Sequence, residues 1–173
     1  MEIFEIHITG DEKIIDAAQK LGVKTIVLDL VKPDKSHYRT EYMTSEARSF
    51  HDYEDCKDWA DDLVLRLREA GVEIIRVKIE CPYFPQYKNK SLYFEVHYEG
   101  ERGPMSRNHG KDFYLCTARE YDKTKYDSLW QKHGGIFLLN PPPHWTMELC
   151  LYDTNVEEDK DWFELYGQTP HLG

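Results

Sequence analysis

The segment Phe-Glu-Ile-His-Ile-Thr-Gly at positions 4–10 returns 90 residues later as Phe-Glu-Val-His-Tyr-Glu-Gly at positions 94–100. Both copies alternate apolar and polar residues, the period of a β-strand with one buried face. Phe4, Ile6 and Ile8 share one face of the first copy, and Glu5, His7 and Thr9 share the other. A chain that repeats such a strand, with an imidazole at the same place each time, must give each copy a sheet to join. A fold with an internal structural repeat is therefore expected.

The first half supplies the partners. Gly10 breaks the strand, and Asp11 caps a short helix running to Leu21, with Ile14, Ile15, Ala18 and Leu21 at helical spacing. Gly22 ends it. Residues 24–31 are an almost unbroken apolar run, the pattern of a more buried strand. A turn at Pro33-Asp34 leads to a third strand over 38–44. The longest helix follows over 52–70, with Trp59, Leu63, Val64, Leu67 and Ala70 inward and Asp55, Asp58, Asp61, Asp62 and Glu69 on a solvated face. Gly71 stops it before a strand over 72–80, in which Ile75, Val77 and Ile79 oppose Arg76, Lys78 and Glu80. This β-α-β-β-α-β order predicts a ferredoxin-like lobe over 1–81, an antiparallel sheet with its helices on one face.

A Pro/Tyr-rich connector over 82–91 leads to a shortened second lobe over 92–152. Its first strand is the echo, over 92–100. Residues 101–111 read as a loop where the first lobe has a helix. A strand over 113–119, a helical stretch marked by Tyr126, Leu129 and Trp130, and a last strand over 145–152 complete it. An acidic tail over 153–173 is expected on the surface or docked through Trp162 and Phe163. The predicted class is thus α+β: two lobes of antiparallel sheet within one compact domain.

Composition narrows the function classes. Asp and Glu total 32 against 22 Lys and Arg, a formal charge of −10, yet 40% of the 173 residues are hydrophobic and 13% aromatic, which excludes a disordered acidic chain. The charge argues against duplex nucleic-acid binding, and no apolar run approaches the roughly 20 residues of a membrane span. With no signal peptide at its start, the chain is expected in the cytoplasm. Cys56, Cys81, Cys116 and Cys150 form no Cys-x-x-Cys pair, so reduced buried thiols are expected rather than a structural zinc site. Tyr83, Phe84, Tyr87, Tyr93 and Phe94 have the composition of a base-stacking surface, but core and connector packing explains them more simply.

The chemistry gathers on the polar strand faces: Glu5, His7 and Thr9; Arg76, Lys78 and Glu80; Glu95, His97 and Glu99; Thr117 and Arg119. Two imidazoles facing one another across a cleft suit acid–base work, one deprotonating water or a hydroxyl while the other donates to a leaving oxygen. Thr9 and Thr117 would hydrogen-bond a phosphoryl or carbonyl oxygen, and Lys78 and Arg119 would neutralise developing charge. Arg107 and Asn108, in the 106–110 stretch beside the second strand, offer further anion donors.

With its two lobes and its His7-Ile8-Thr9 tripeptide, the chain resembles the 2H phosphoesterases, named for paired His-x-Thr/Ser motifs. The echoed position reads His97-Tyr98-Glu99, without the hydroxyl, and a second His-x-Thr, His144-Trp145-Thr146, lies elsewhere. The resemblance implies a cofactor-free phosphodiesterase with His7, His97 and Thr9 as catalytic residues, acting on a small nucleotide or cyclic phosphate. Two other readings stand beside it. One is a metal-dependent enzyme similar to the vicinal-oxygen-chelate proteins, with His7, Glu80, His97 and Glu148 as ligands to Fe, Mn, Zn or Ni. The other is a non-catalytic module whose cleft binds a small anion or a partner.

Overall fold

The computed structural model describes residues 1–31, 37–99, 105–108, 115–132, 145–159 and 164–165. Ten strands are present among the described residues: β1 (Glu2–Gly10), β2 (Thr25–Val31), β3 (Tyr38–Thr44), β4 (Glu46–Phe50), β5 (Ile74–Cys81), β6 (Tyr93–Glu99), β7 (Met105–Asn108), β8 (Leu115–Glu120), β9 (Trp145–Asp153) and β10 (Glu164–Leu165). Three helices accompany them, α1 (Lys13–Lys20), α2 (Tyr53–Glu69) and α3 (Tyr126–Lys132), with a single helical turn at Val156–Asp159. No helix among the described residues is long and apolar enough to cross a membrane.

All ten strands join one sheet, and the pairing runs β8-β6-β9-β5-β1-β3-β2-β7. β7 then pairs back onto β8, Met105 opposite Cys116 and Ser106 opposite Leu115, so the sheet curls until its two ends meet. Every pairing in this ring is antiparallel. β4 extends β3 along β1 after a break at Ser45, and β10 adds in parallel beside β8.

Curling gives the sheet an inside and an outside. The apolar core is on the outside, under the helices. Phe4, Ile6 and Ile8 of β1, Ile79 of β5, Phe94 and Val96 of β6 and Leu149 of β9 pack there against Ile14 and Ala18 of α1, Cys56, Ala60 and Leu67 of α2 and Tyr126 of α3. Asp52 caps α2 by accepting a hydrogen bond from the Asp55 amide. The polar alternates of the same strands therefore turn inward, toward one another.

Gly10 shows how tightly the helix side closes. β1 and β5 lose register there, Thr9 pairing with Arg76 and Gly10 with Ile74, so Ile75 bulges out and is 55% exposed. A Cβ on Gly10 would lie 2.8 Å from the Glu73 carbonyl oxygen and 2.9 Å from Val72 Cγ1. Gly10→Ala is therefore expected to cost about 1–3 kcal/mol in chemical denaturation; a loss under half a kilocalorie would show that the crossing is looser than this.

Several expectations are corrected here. The strands of both halves form a single curled sheet rather than one sheet per lobe. Within the expected loop at 101–111, β7 is a strand, because a short sequence with little strand preference takes its register from β2. β4 was not expected; Glu-Ala-Arg-Ser-Phe has almost no β-branched content, and it is β1 that holds it extended. β2 is only half buried, since its apolar residues line the interior as well as the outer layer. The expected tail also contributes to the sheet, through Asp153 at the end of β9 and through β10. Trp162 and Phe163 lie outside the described residues, as does His144. Cys56, Cys81 and Cys150 are buried free thiols.

Candidate functional site

Inside the curled sheet lies a cavity of about 150 Å³. Its charged wall is built by alternation along five strands: Glu5 and His7 from β1, Arg76, Lys78 and Glu80 from β5, Glu95 and His97 from β6, Thr117 and Arg119 from β8, and Glu148 from β9. Apart from His7, each of these residues is less than a tenth exposed. The row is thus buried inside the curled sheet rather than spread over a solvated face, and burial makes every unpaired charge in it expensive.

Glu95 is the hub. Its two oxygens receive Lys78 Nζ at 3.0 Å each, Arg119 Nε at 2.9 Å and His97 Nε2 at 3.0 Å. Burial alone would raise its pKa, but Lys78 and Arg119 outweigh burial and hold the carboxyl well below the usual carboxylate range. Lys78 also reaches Glu80 at 3.1 Å. Arg119 lies over the ring of Tyr93, 4.2 Å from its centre, and the Tyr93 hydroxyl donates to Asp153 at 2.7 Å. Asp153 in turn accepts from Arg76 Nε at 2.9 Å.

The two imidazoles are held differently. His7 donates from Nδ1 to the Thr44 carbonyl at 3.1 Å, and its Nε2 lies 3.0 Å from Glu5 and 3.4 Å from Glu80. Thr44 is itself fixed, its hydroxyl accepting from the Ile8 amide and donating to the Ile6 carbonyl. Burial disfavours the imidazolium, but Glu5 and then Glu80 overcome it and raise His7 to about 9. At neutral pH His7 is a charged donor at both nitrogens. His97 contacts Thr117 Oγ1 through Nδ1 at 3.0 Å and Glu148 through Nε2 at 2.9 Å.

Glu148 and Glu80 leave the cluster short of donors. Burial, then the charges of Glu80 and Glu5, push the Glu148 carboxyl well above its ordinary value. Glu80 Oε2, Glu148 Oε2 and Glu5 Oε2 are buried and receive no hydrogen bond from a donor. Such oxygens need a proton shared between carboxyls or a cation among them. One ligand atom from each of Glu80, Glu95, His97 and Glu148 fits within 4.8 Å of the other three. Glu95 is already engaged by Lys78 and Arg119, so Glu80, His97 and Glu148 hold the spare ligand capacity. With a cation present, His97 would donate from Nδ1 to Thr117 and offer Nε2 inward, the outer support that ligating histidines usually have.

Of the residues singled out from sequence, His7, Thr9, Lys78, Glu80, His97, Thr117, Arg119 and Glu148 line this one cavity. Arg107 and Asn108 are on β7, opposite Asp29 and Leu28 of β2. In the four-residue ligand cluster Glu95 stands where His7 was expected, and His7 sits beside it against Glu80. Sequence reasoning put Glu5 and Glu95 on the right face without assigning them a part. Their signal was the spacing, each two residues before a histidine. It missed Asp153, and it missed the apolar lining of Ile26, Leu28, Leu30 and Met43. Comparison of the chain with family models, with curated proteins and with solved structures finds no match.

Proposed function

We propose that the protein is a divalent-metal-dependent phosphoesterase that hydrolyses a small phosphate ester inside the curled sheet. The observation that carries this reading is the meeting, in one cavity, of the Glu80–Glu95–His97–Glu148 cluster with Lys78 and Arg119. The two carboxylates with spare oxygens, Glu80 and Glu148, and the His97 imidazole suit Mn²⁺, which accepts both ligand types. The donor count supports it too. Glu5, Glu80 and Glu148 each bury a carboxyl oxygen that receives no hydrogen bond, and a divalent ion among them would satisfy those oxygens.

The bound ion would polarise the phosphoryl group and acidify a water. Lys78 and Arg119 neutralise the charge that builds on the phosphoryl oxygens. The water oxygen bonds to phosphorus as the ester P–O bond breaks. A carboxylate of the cluster takes the water's proton, and His7, protonated at neutral pH, donates one to the departing alkoxide. The products are an alcohol and phosphate.

This reading also takes the chain as a duplicated ferredoxin-like unit. In its favour, the strand orders β5-β1-β3-β2 and β9-β6-β8-β7 repeat one pattern, in which β1 and β6, and with them His7 and His97, correspond. The metal-free, paired-histidine mechanism of 2H phosphoesterases remains the second reading, favoured by both imidazoles lining one cavity. Turnover of p-nitrophenyl phosphate and of a 2′,3′-cyclic nucleotide, each with and without chelator, separates the two. Loss in chelator and recovery with Mn²⁺ supports the metal mechanism; unchanged turnover in chelator passes the site to the histidine pair. Neither turnover nor Mn²⁺ uptake would leave a binding module.

A further inference from the structure

The cavity has two unlike walls. In the eight-strand ring β2 lies four strands from β9 in either direction, and β3 lies four strands from β6. Ile26, Leu28 and Leu30 of β2 and Met43 of β3 therefore face the cavity from across the ring, opposite the strands that carry Glu148, Glu95 and His97; Glu41, which accepts from Arg39, and Ser45 complete that side.

We infer that the substrate is an amphipathic phosphate ester, its phosphoryl group on the charged wall and its organic part, apolar and about one ring in size, on the β2–β3 wall. This rests on the phosphoesterase reading and names its substrate class. A polyphosphate or sugar phosphate laid along Ile26, Leu28 and Leu30 would give up hydration to side chains that return no hydrogen bond. An aryl or short branched alkyl group instead gains from leaving water. The size sets an upper bound: the whole cavity, charged wall included, measures about 150 Å³, roughly the volume that accepts one benzene ring, so the organic part is no larger than one small ring or short branched chain.

Calorimetric titration of the Mn²⁺-loaded protein with phenylphosphonate, methylphosphonate and tripolyphosphate tests this without turnover. Phenylphosphonate is expected to bind at least about tenfold more tightly than methylphosphonate. Leu28→Asn should cut that preference below about threefold while leaving methylphosphonate and Mn²⁺ affinities within about twofold, because Leu28 touches only the organic part. Leu28 is half-buried, so the variant is expected to fold. If circular dichroism shows that it does not, Met43→Thr serves for the same comparison. Tighter binding of tripolyphosphate than of phenylphosphonate, or a phenyl preference that survives substitution of the wall, overturns the inference. Failure of the underlying metal reading shows separately, as absence of Mn²⁺ uptake before any phosphonate is added.

Discussion

Glu148→Gln is expected to stabilise the metal-free protein and to abolish its response to Mn²⁺. The two effects share one cause. Glu148 is a fully buried carboxyl beside Glu80, and its pKa is raised well above the ordinary value by burial and by the neighbouring carboxylates. A carboxyl whose folded pKa exceeds its unfolded value binds more protons in the folded state, so stability falls as pH rises from about 4.3 toward the folded pKa, by up to roughly 1.4 kcal/mol per pH unit. Glutamine mimics the protonated form and removes that slope. His7 keeps its own. Raised from 6.5 to about 9, it contributes stability in full below 6.5 and loses it as pH rises through 9. At pH 8 the variant should gain about 1–2 kcal/mol, or roughly 2–8 °C in Tm for a chain of this length. Saturating Mn²⁺ should stabilise the wild type by about 3 kcal/mol at 100 times Kd and the variant hardly at all. A variant that is less stable without metal and still shifts with Mn²⁺ would remove Glu148 from the ligand set.

How legible this site was depends on what alternation encodes. Period two told that Glu5, His7 and Thr9 share a face, and the echo told that Glu95 and His97 do too. It did not tell which side of the sheet is sealed. That follows from closure, which depends on β7 meeting both β2 and β8. Met105-Ser106-Arg107-Asn108 carries no β-branched residue and reads as a turn, so the pairing that buries the polar face was the least visible in the chain. For the same reason the apolar run of β2 read as an ordinary buried strand. Nothing local distinguishes a leucine facing a helix from one facing a glutamate across a ring. The helices and most strands were legible because capping and periodicity are local; the chemistry was partly legible because i, i+2 spacing is local as well.

Removing the Glu95 carboxylate is expected to produce the largest loss of stability. In Glu95→Ala, Lys78 and Arg119 stay buried with their shared counter-charge gone, and Arg119 is only 1% exposed. Breaking a buried pair from one side costs about 3–5 kcal/mol, against near-neutral replacement of both partners by apolar groups. For this chain that corresponds to a Tm lower by roughly 6–20 °C. Glu95→Gln keeps an acceptor for Lys78 and Arg119 and should fall between the alanine variant and wild type. The decisive measurement is the double variant. Arg119→Met with Glu95→Leu removes the buried cation together with its Glu95 carboxylate, so it should be at least about 2 kcal/mol more stable than the summed losses of Arg119→Met and Glu95→Leu predict. Additive losses, or a Glu95→Ala cost below about 1 kcal/mol, would mean that the network is ordinary buried polarity with slack in it. A strong coupling would explain why a buried interior keeps so many charges. On the phosphoesterase reading, Glu95 would hold Lys78 and Arg119 in place before an anion arrives, so that little reorganisation would remain when a phosphoryl group binds.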